Sequence, residues 1–381
     1  MSEKYDIIIR NVGQNLIKEY EENGIVKCGI NGPYDDPETR VRNLSHLIII
    51  TAIEIISFGK EHYIDVLNNM GAELLSLRES SGLYIMREKE GKDLCNGVIG
   101  HAWVIEALIY LYKVTKDTKY VSVADEIASF HVFEYNIGLW SRPQVKADDN
   151  GIDYTLNHQL WYAASLCELN EVKMDAKYQK EILRFLDCLK TNMHLSTKGK
   201  VAHNIYSRLG FKARVKNYIK EKVNYLAEML GCSSMSYKEE GYHLFNIMAL
   251  SRIIRLFPEH NFFKSKKFNR SVMYCNTDEF KKGLMNSNYK LDKSLHNCIT
   301  NETERDINIY GYPYNVPGFE MPYCAFVLNH KIDPSVCNQI IKMQFDLTYD
   351  IELKCFKKKC HDSNTVNYRV YEYYRFLEME H

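Results

Sequence analysis

The 381-residue chain lacks any excess of charge of one sign, because 49 lysine and arginine residues balance 49 aspartate and glutamate residues. A balanced chain has no overall attraction for nucleic acid or for an anionic membrane, so neither is expected as a partner on bulk charge. Any charge-led partner must act through a local patch. Hydrophobic residues make up 45% of the chain, which excludes a fibrous or disordered protein and suffices for a large core.

Long apolar runs are also missing. The longest one, residues 47–56, is too short to span a bilayer and contains Glu54. The first ten residues carry Glu3 and Asp6 before a short apolar run, which fits neither a secretory signal nor a transit peptide. We therefore expect a cytoplasmic protein with no segment inserted in a membrane.

The eleven cysteines show no disulfide or metal pattern. Several lie in apolar helical stretches, where a thiol behaves as a small hydrophobe, and this usage is typical of a reducing compartment. The one cluster, Cys355, Cys360 and His361, lacks a second ligand pair at zinc-site spacing. No phosphate-cradling glycine loop, nucleophile elbow or helical zinc-protease motif is found either. We expect no metal and no cofactor.

Helical periodicity dominates the sequence, with apolar residues recurring every three or four positions. Several segments are apolar nearly all round, which predicts helices buried on every side. These segments are 44–56, 98–112, 160–169, 244–254 and 323–328. Amphipathic segments alternate with them and predict an outer layer: 63–77, 119–132, 178–189 and 336–347. Segments 7–20 and 368–377 complete about six hairpins, with the sixth outer helix expected within 258–285.

A closed ring is the simplest way to bury helices that are apolar on all sides. The predicted fold is therefore an all-α (α/α)6 toroid in a single domain, residues 1–381. An α-solenoid is the competing architecture. The polar stretch 264–306 has few periodic apolar residues and is expected to form a lid or an insertion within the toroid.

Four histidines lie near the starts of successive buried helices: His46, His101, His158 and His243. In a ring, the N-terminal ends of the inner helices open on one side, so these histidines are expected to converge on one rim. A single histidine at a helix start more often caps the helix or completes a polar core. Independent core histidines have no reason to share one phase of a repeat, so we expect at least two of the four to line a pocket.

The loops that lead into the buried helices are rich in polar and aromatic side chains. Arg42 and His46 lie four residues apart on one helix face and are candidates for gripping a carboxylate or phosphate. Carboxylates and imidazoles beside tryptophan and tyrosine suit acid and base work on a polyhydroxylated substrate. The other candidate substrate ligands are Asp36, His101, Trp103, Trp161, Tyr242, Tyr314, Asn315 and Glu320.

One stretch departs from the neutral average. Residues 191–220 contain no acidic side chain and carry seven basic ones, namely Lys198, Lys200, Arg208, Lys212, Arg214, Lys216 and Lys220. Such a run is most often a solvated loop and helix face. Alternatively, it flanks the cleft and attracts an anionic saccharide, such as a uronate-bearing or phosphorylated glycan.

The segments ETRVRNLSHL, NGVIGHAWVIEALIYLYKVTKDTKY and YNVPGFEMPY resemble the helix starts of (α/α)6-toroid carbohydrate enzymes. That group includes six-hairpin glycosidases, N-acylglucosamine 2-epimerases and toroidal polysaccharide lyases, and the chain also looks like toroid proteins encoded with glycan-assembly enzymes. The resemblance covers most of the chain. It implies epimerase-type histidines at His101, His158 and His243. It implies hydrolase-type carboxylates among Asp36, Asp153, Glu240 and Glu320.

A second toroidal group, the lanthionine cyclases, is less similar to the chain. Their zinc needs two cysteines and a histidine that meet in the central funnel. Cys95 lies suitably near the start of a buried helix, but no matching cysteine and histidine pair follows it.

The leading hypothesis is a glycoside hydrolase that acts on an oligosaccharide or polysaccharide, with an anionic one as a candidate. Glu240 and Asp153 are the expected acid and base, and His158 and His243 are further catalytic candidates. A sugar epimerase or polysaccharide lyase, in which histidine or tyrosine removes a proton next to a carbonyl or carboxylate, is the alternative. A non-catalytic toroid that binds a glycan or a protein during glycan assembly is the third hypothesis.

Overall fold

The computed structural model describes residues 3–143, 151–205, 234–287, 305–329 and 331–381. Helices dominate these ranges. In chain order they are α1 (Glu3–Asn23), α2 (Val41–Phe58), α3 (Ile64–Ser76), α4 (Ile99–Thr115), α5 (Thr118–Ser129), α6 (Leu156–Lys173), α7 (Ala176–Asn192), α8 (Ser234–Leu256), α9 (Lys266–Tyr274), α10 (Asp278–Met285), α11 (Pro317–Val327), α12 (Pro334–Thr348), α13 (Ser363–Tyr368) and α14 (Tyr371–Glu380).

The long apolar helices form a closed inner ring. Helix α2 packs against α4, and the contacts continue through α6, α8 and α11 to α14. Helix α14 then packs against α2 and closes the circle. The remaining long helices pack outside: α1 and α3 lie on α2, α5 on α4 and α6, α7 on α6, α10 on α8, and α12 on α11. The predicted all-α (α/α)6 toroid is confirmed, and the solenoid alternative is wrong because the ring closes.

Burial explains the two kinds of helix. All residues of α4 from position 99 to position 111 are buried, as expected of a helix that touches neighbours on every side. In α1 the buried side chains include Ile9, Val12 and Ile17, which recur at helical spacing on one face. The patterns read from the sequence therefore assign each of these segments to its layer.

Helix α2 is longer than the apolar run 47–56, which by itself is too short to span a bilayer. By length and composition alone, its 18 residues could cross a membrane. However, 78% of the helix is buried inside the protein, where it packs in the inner ring. Its apolar character is accounted for by this position.

Short elements connect the layers. A two-stranded antiparallel hairpin, β1 (Phe133–Glu134) with β2 (Leu139–Trp140), precedes α6. A second one, β3 (Tyr349–Asp350) with β4 (Cys355–Phe356), follows α12. A 3-10 turn, Gly32–Tyr34, precedes α2, and a π-turn, Gly311–Asn315, precedes α11. We call the side on which the inner helices begin the open face.

The polar stretch 264–306 is partly helical. Its first half contains α9 and α10, which fulfil the expectation of an outer helix within 258–285. Residues 288–304 lie outside the described residues, so the lid within this stretch stays a prediction. Residues 206–220 of the basic run also lie outside the described residues, so a role for that part of the run beside the cleft stays a prediction.

A buried group of four charges ties the inner helices together, and we call it the axial ion cluster. Glu106 of α4 and Glu168 of α6 face Arg252 of α8 and Arg375 of α14. The shortest nitrogen to oxygen distances run from 2.6 Å for Arg252 to Glu106 to 3.0 Å for Arg375 to Glu106. All four side chains are at most 4% exposed, so this cluster lies in the core.

Candidate functional site

A polar pocket of about 290 Å³ lies at the open face, and loops or helix starts of all six hairpins contribute to it. This is the arrangement expected when the inner helices all begin on one side. The described residues that line it are Asn31, Tyr34, Asp36, Arg42, Arg87, Lys92, Asn96, Ile99, Trp103, Thr155, Asn157, His158, His203, Lys238, Tyr242, Phe245, Tyr314, Asn315 and Arg369.

The most clearly organised group in this pocket is a histidine held by a carboxylate. Nδ1 of His158, at the start of α6, donates to Oδ2 of Asp153 across 2.7 Å. The backbone N–H groups of Val98 and Thr155 also donate to this carboxylate, at 3.1 and 3.0 Å. Burial alone would raise the pKa of Asp153, but His158 and the two N–H donors outweigh it and lower the pKa to about 2. The carboxylate therefore stays ionised and fixes the imidazole.

This arrangement leaves Nε2 of His158 as the ring nitrogen available to the pocket. The side chain is 20% exposed, whereas that of Asp153 is only 6% exposed behind it. A histidine whose Nδ1–H is held by a carboxylate presents an unprotonated Nε2 when the ring is neutral, which is the form that accepts a proton. The carboxylate of Asp153 therefore fixes the orientation and the tautomer of the His158 ring.

Glycine is required behind this pair. Gly97 has a φ of +66°, in the left-handed region, and a Cβ there would lie 2.0 Å from Oδ2 of Asp153 and 2.4 Å from Nδ1 of His158. Both the backbone conformation and the space thus favour glycine. Glycine at position 97 therefore lets the start of α6 pack closely against the loop before α4.

A second histidine, His203, also lines the pocket, although the sequence reasoning did not single it out. Its Nδ1 is buried without a hydrogen-bond partner, and its ring packs 5.1 Å from that of Tyr242. Burial lowers its pKa well below the usual value, and the nearby Lys238 and His158 act in the same direction. His203 is therefore neutral. The sequence feature that could have indicated His203 is its position within residues 191–220, the stretch without acidic side chains.

Three tyrosines form a chain of hydroxyl groups along the wall. Tyr34 and Tyr242 share a hydrogen bond of 3.3 Å, Tyr242 donates to Tyr314 at 3.4 Å, and Tyr314 donates to Oδ1 of Asn31 at 2.8 Å. Burial raises the pKa of each tyrosine, so the hydroxyls keep their protons. Each hydroxyl has one proton, so Tyr34 donates to Tyr242 and all three protons are used within the chain. Gly32 leaves room for the ring of Tyr314, which a Cβ would approach to 2.2 Å.

Arg42 is a buried cation in the pocket wall. Its Nη1 donates to both oxygens of Glu38, at 3.2 and 3.3 Å, and its guanidinium stacks 4.4 Å from the centre of the Trp103 ring. Its Nε has no hydrogen-bond partner. Burial outweighs the attraction of Arg42 and raises the pKa of Glu38 to about 7. Near neutral pH, therefore, Glu38 cancels only part of the positive charge of Arg42.

Further cations surround the pocket. Arg369 lines it while its guanidinium binds Glu372 at 2.7 Å and Glu320 at 2.9 Å. Three more cations line it at other positions: Arg87, Lys92 and Lys238. The described lining contains a single carboxylate, Asp36, and this group is itself paired with Lys89 at 2.6 Å and Arg87 at 3.6 Å. Cations therefore outnumber carboxylates in the described lining.

Several residues singled out from the sequence come together in this pocket. They are Asp36, Arg42, Trp103, His158, Tyr242, Tyr314 and Asn315, with Asp153 directly behind His158. The others lie elsewhere, for reasons that differ from one residue to the next.

The expected acid and base pair of Glu240 and Asp153 is not brought together. Glu240 borders a separate depression, where it binds Tyr274 at 2.7 Å and Lys200 at 3.3 Å. Helix geometry is the reason, because positions two apart on a helix point about 200° away from each other. Since Tyr242 faces the pocket, Glu240 faces the outer layer. Its burial raises the pKa to about 7.

The prediction that all four histidines converge on one rim is wrong for His243 and His101, because neither lines the pocket. His243 accepts from the N–H of Val201 at 3.1 Å and donates to the carbonyl of Ser271 at 3.0 Å. His101 accepts from the N–H of Tyr84 at 3.1 Å and lies 3.0 Å from His131. Both rings join inner helices to the outer layer, which is the ordinary core role of a histidine.

Three other expected ligands are buried beside the pocket without lining it. His46 stacks on Tyr371 at 4.1 Å between ring centres. Trp161 is fully buried and donates to the carbonyl of Phe245. Glu320 binds Arg369, as described above, and acts on the site only through that arginine. Among the described residues, no three histidine, cysteine or acidic side chains are grouped as metal ligands would be.

Known proteins support the architecture. No protein-family profile matches the chain. A relative named Archaeal glycosylation protein Q, from Haloferax volcanii, is 27% identical over 376 residues, which cover 94% of this chain and 93% of the relative.

Solved structures carry the comparison further. A cellobiose 2-epimerase from Bacillus thermoamylovorans superposes with a TM-score of 0.58 at 10% identity, covering 96% of this chain and 98% of its own. An alpha-mannanase from Bacteroides thetaiotaomicron gives 0.56 at 12% identity, covering 99% and 96%. The chain has the fold of the (α/α)6-toroid carbohydrate-active enzymes. At these identities the likeness shows the fold alone.

Proposed function

We propose that the pocket binds an anionic saccharide and transfers a proton at a carbon next to its carbonyl or carboxylate group, with His158 as the general base. The observation that carries the proposal is the hydrogen bond between His158 and Asp153 at the pocket wall. Nε2 of His158 would take the proton while the carbon keeps the electron pair as an enolate. Return of a proton to the same or the neighbouring carbon gives epimerisation or isomerisation.

The other pocket residues suit the remaining parts of this reaction. The enolate oxygen needs a donor that keeps its proton, and Tyr34, the first member of the tyrosine chain, would meet this need by turning its O–H from Tyr242 to the substrate. His203 is neutral and has an unbonded Nδ1, so it is the candidate for exchanging the second proton. Arg42 and the cations at Arg87, Lys92 and Lys238 would hold the negatively charged group of the sugar.

Hydrolysis, the leading hypothesis from the sequence, has less support in this pocket. It requires two carboxyl groups that flank the scissile bond at about 5 to 10 Å from each other. Among the lining residues described, Asp36 is the one carboxylate and it is paired with two cations. Glu240 lies at a different depression. Proton transfer by histidine therefore takes precedence.

The comparisons are compatible with this proposal but do not identify the reaction, which we infer from the pocket residues. Toroids of this fold include both an epimerase and a mannanase, so the fold does not choose the chemistry. The relative is named a glycosylation protein, which fits a role in a glycan pathway.

The test is to incubate the protein in deuterium oxide with free and glycosidically linked uronates, sugar phosphates and matched neutral sugars. Mass spectrometry then measures deuterium on carbon, and chromatography identifies the products. We expect deuterium incorporation with an anionic sugar, abolished in Asp153→Asn and retained in His62→Asn, whose histidine is exposed on the outside. Cleavage of a glycosidic bond without carbon-bound deuterium would instead establish a hydrolase. Binding without any reaction would indicate a non-catalytic toroid.

A further inference from the structure

The β3–β4 hairpin carries two apolar side chains into solvent at its tip. Ile351 is 75% exposed and Leu353 is 56% exposed. The turn is ordered by Asp350, whose Oδ1 accepts the N–H groups of Glu352 at 3.0 Å and Leu353 at 3.2 Å. The local hydrogen bonds therefore hold the two apolar side chains away from the core.

Lysines follow this apolar tip in the chain. Lys354, Lys357 and Lys358 are exposed, and Lys359 binds Asp306 at the base of the hairpin. Around the tip itself the lysines outnumber the acidic side chains, Asp350 and Glu352. The chain as a whole carries no net charge, so this is a local basic patch next to exposed apolar groups.

The hairpin follows the outer helix α12 at the open face, and its residues Leu353, Lys354 and Lys357 line a surface groove with residues of α1 and α13. The chain continues from β4 to Asp362, whose Oδ2 accepts the N–H groups of Ile30 at 3.0 Å and Gly32 at 3.3 Å. These two residues flank Asn31, which lines the pocket. The segment that follows the hairpin is thus bonded, through Asp362, to the loop that forms part of the pocket wall.

We propose that this hairpin docks the protein on the surface of an anionic lipid bilayer. Ile351 and Leu353 would enter the headgroup region, and the lysines would face the lipid phosphates. Two apolar side chains are too few to form the core of a stable protein interface, which buries about 800 Å² on each partner. A bilayer needs only shallow insertion together with attraction between opposite charges. The inference is independent of the reaction proposed for the pocket.

The experiment is sedimentation of the full chain with phosphatidylglycerol vesicles and, in parallel, with neutral phosphatidylcholine vesicles. We expect binding to the anionic vesicles that weakens as salt is added, because salt screens exposed charges. The double change Lys357→Glu with Lys358→Glu is expected to lower the partition coefficient on the order of tenfold or more. The double change Ile351→Ser with Leu353→Ser is expected to lower it by a similar factor.

Matched controls come from the opposite side of the toroid. Met174, at the end of α6, is 85% exposed, and Lys177 and Lys180 are exposed at the start of α7. Met174→Ser and the double change Lys177→Glu with Lys180→Glu should leave vesicle binding unchanged. Absence of binding to anionic vesicles would overturn the proposal and leave the hairpin as a surface for a protein. Equal loss in the control variants would also overturn it, because the effect would then follow total charge or apolar exposure.

Discussion

The pocket at the open face and the axial ion cluster are both built by polar side chains of the inner ring, yet they differ in whether those side chains border an accessible space. In the axial ion cluster, Glu106 and Glu168 each lie within ion-pair distance of both arginines and away from solvent. Arg375 of the cluster and Arg42 and His203 of the pocket each keep an unbonded nitrogen, but of these only the pocket residues line a cavity, where His158 is partly exposed. Burial and charge alone therefore do not mark a functional site. A polar side chain that lines an accessible cavity does.

Replacement of the pocket base should separate function from stability most strongly. For His158→Ala we expect the rate of proton transfer to fall by about 10² to 10⁴, because a positioned general base contributes that much. The free energy of unfolding should fall by about 1 to 3 kcal/mol, because Asp153 loses one hydrogen-bond partner but keeps its two backbone donors. Steady-state kinetics and urea unfolding measure the two effects. A folded variant with unchanged kinetics would remove His158 from the mechanism.

The axial ion cluster should behave in the opposite way. Glu168→Ala leaves Arg252 and Arg375 partly uncompensated in the core, and we expect a loss of about 3 to 5 kcal/mol in the free energy of unfolding. Glu171→Ala, three residues further along α6 at an exposed position, should change it by about 0.5 kcal/mol at most. Urea unfolding of both variants measures the difference. Equal stability of the two would contradict the structural role of the cluster.

Arg42 is predicted to contribute to substrate binding. Arg42→Lys keeps the charge but loses the planar group that stacks on Trp103 and binds Glu38, so we expect KM for the anionic sugar to rise about tenfold. The matched control is Arg40→Lys, which changes an arginine paired with Glu73. If KM rises equally with a neutral sugar, the arginine supports the fold of the pocket and does not recognise the anion.

The pH dependence of stability should report the core histidines. Burial lowers the pKa of His243 to about 3, whereas the unfolded chain has a histidine pKa of about 6.5. Below pH 6.5 the unfolded state therefore binds a proton that the folded state does not, so stability is lost as pH falls from about 6.5 towards 3. This residue alone should contribute roughly 1.4 kcal/mol of loss per pH unit in that window. Urea unfolding of His243→Gln at several pH values should show a slope smaller by this amount, and an unchanged slope would contradict it.

Much of the fold followed from the sequence because the layer of a helix depends on its own pattern. A helix such as α4, apolar on all sides, has only one environment that can bury it, and the alternation with amphipathic helices then favours a ring. The pairing of Asp153 with His158 was also accessible, because both residues lie in one short segment at the start of α6.

Other parts of the site depend on information that the local sequence does not contain. The direction of a side chain depends on helix rotation, which places Tyr242 in the pocket but Glu240 and His243 against the outer layer. The contributions of His203 and Arg369 depend on how loops far apart in the chain meet at the open face. Such long-range packing follows only from the closed ring.

The most direct measurement of the central claim is chemical rescue of His158→Ala by imidazole. The rate of deuterium incorporation into the substrate carbon is measured for the variant with and without added imidazole. If His158 is the base, the exchange lost in the variant should return in proportion to the imidazole concentration, because the small base can occupy the space of the missing ring. If the folded variant still exchanges deuterium at the wild-type rate, another group removes the proton and the account is wrong.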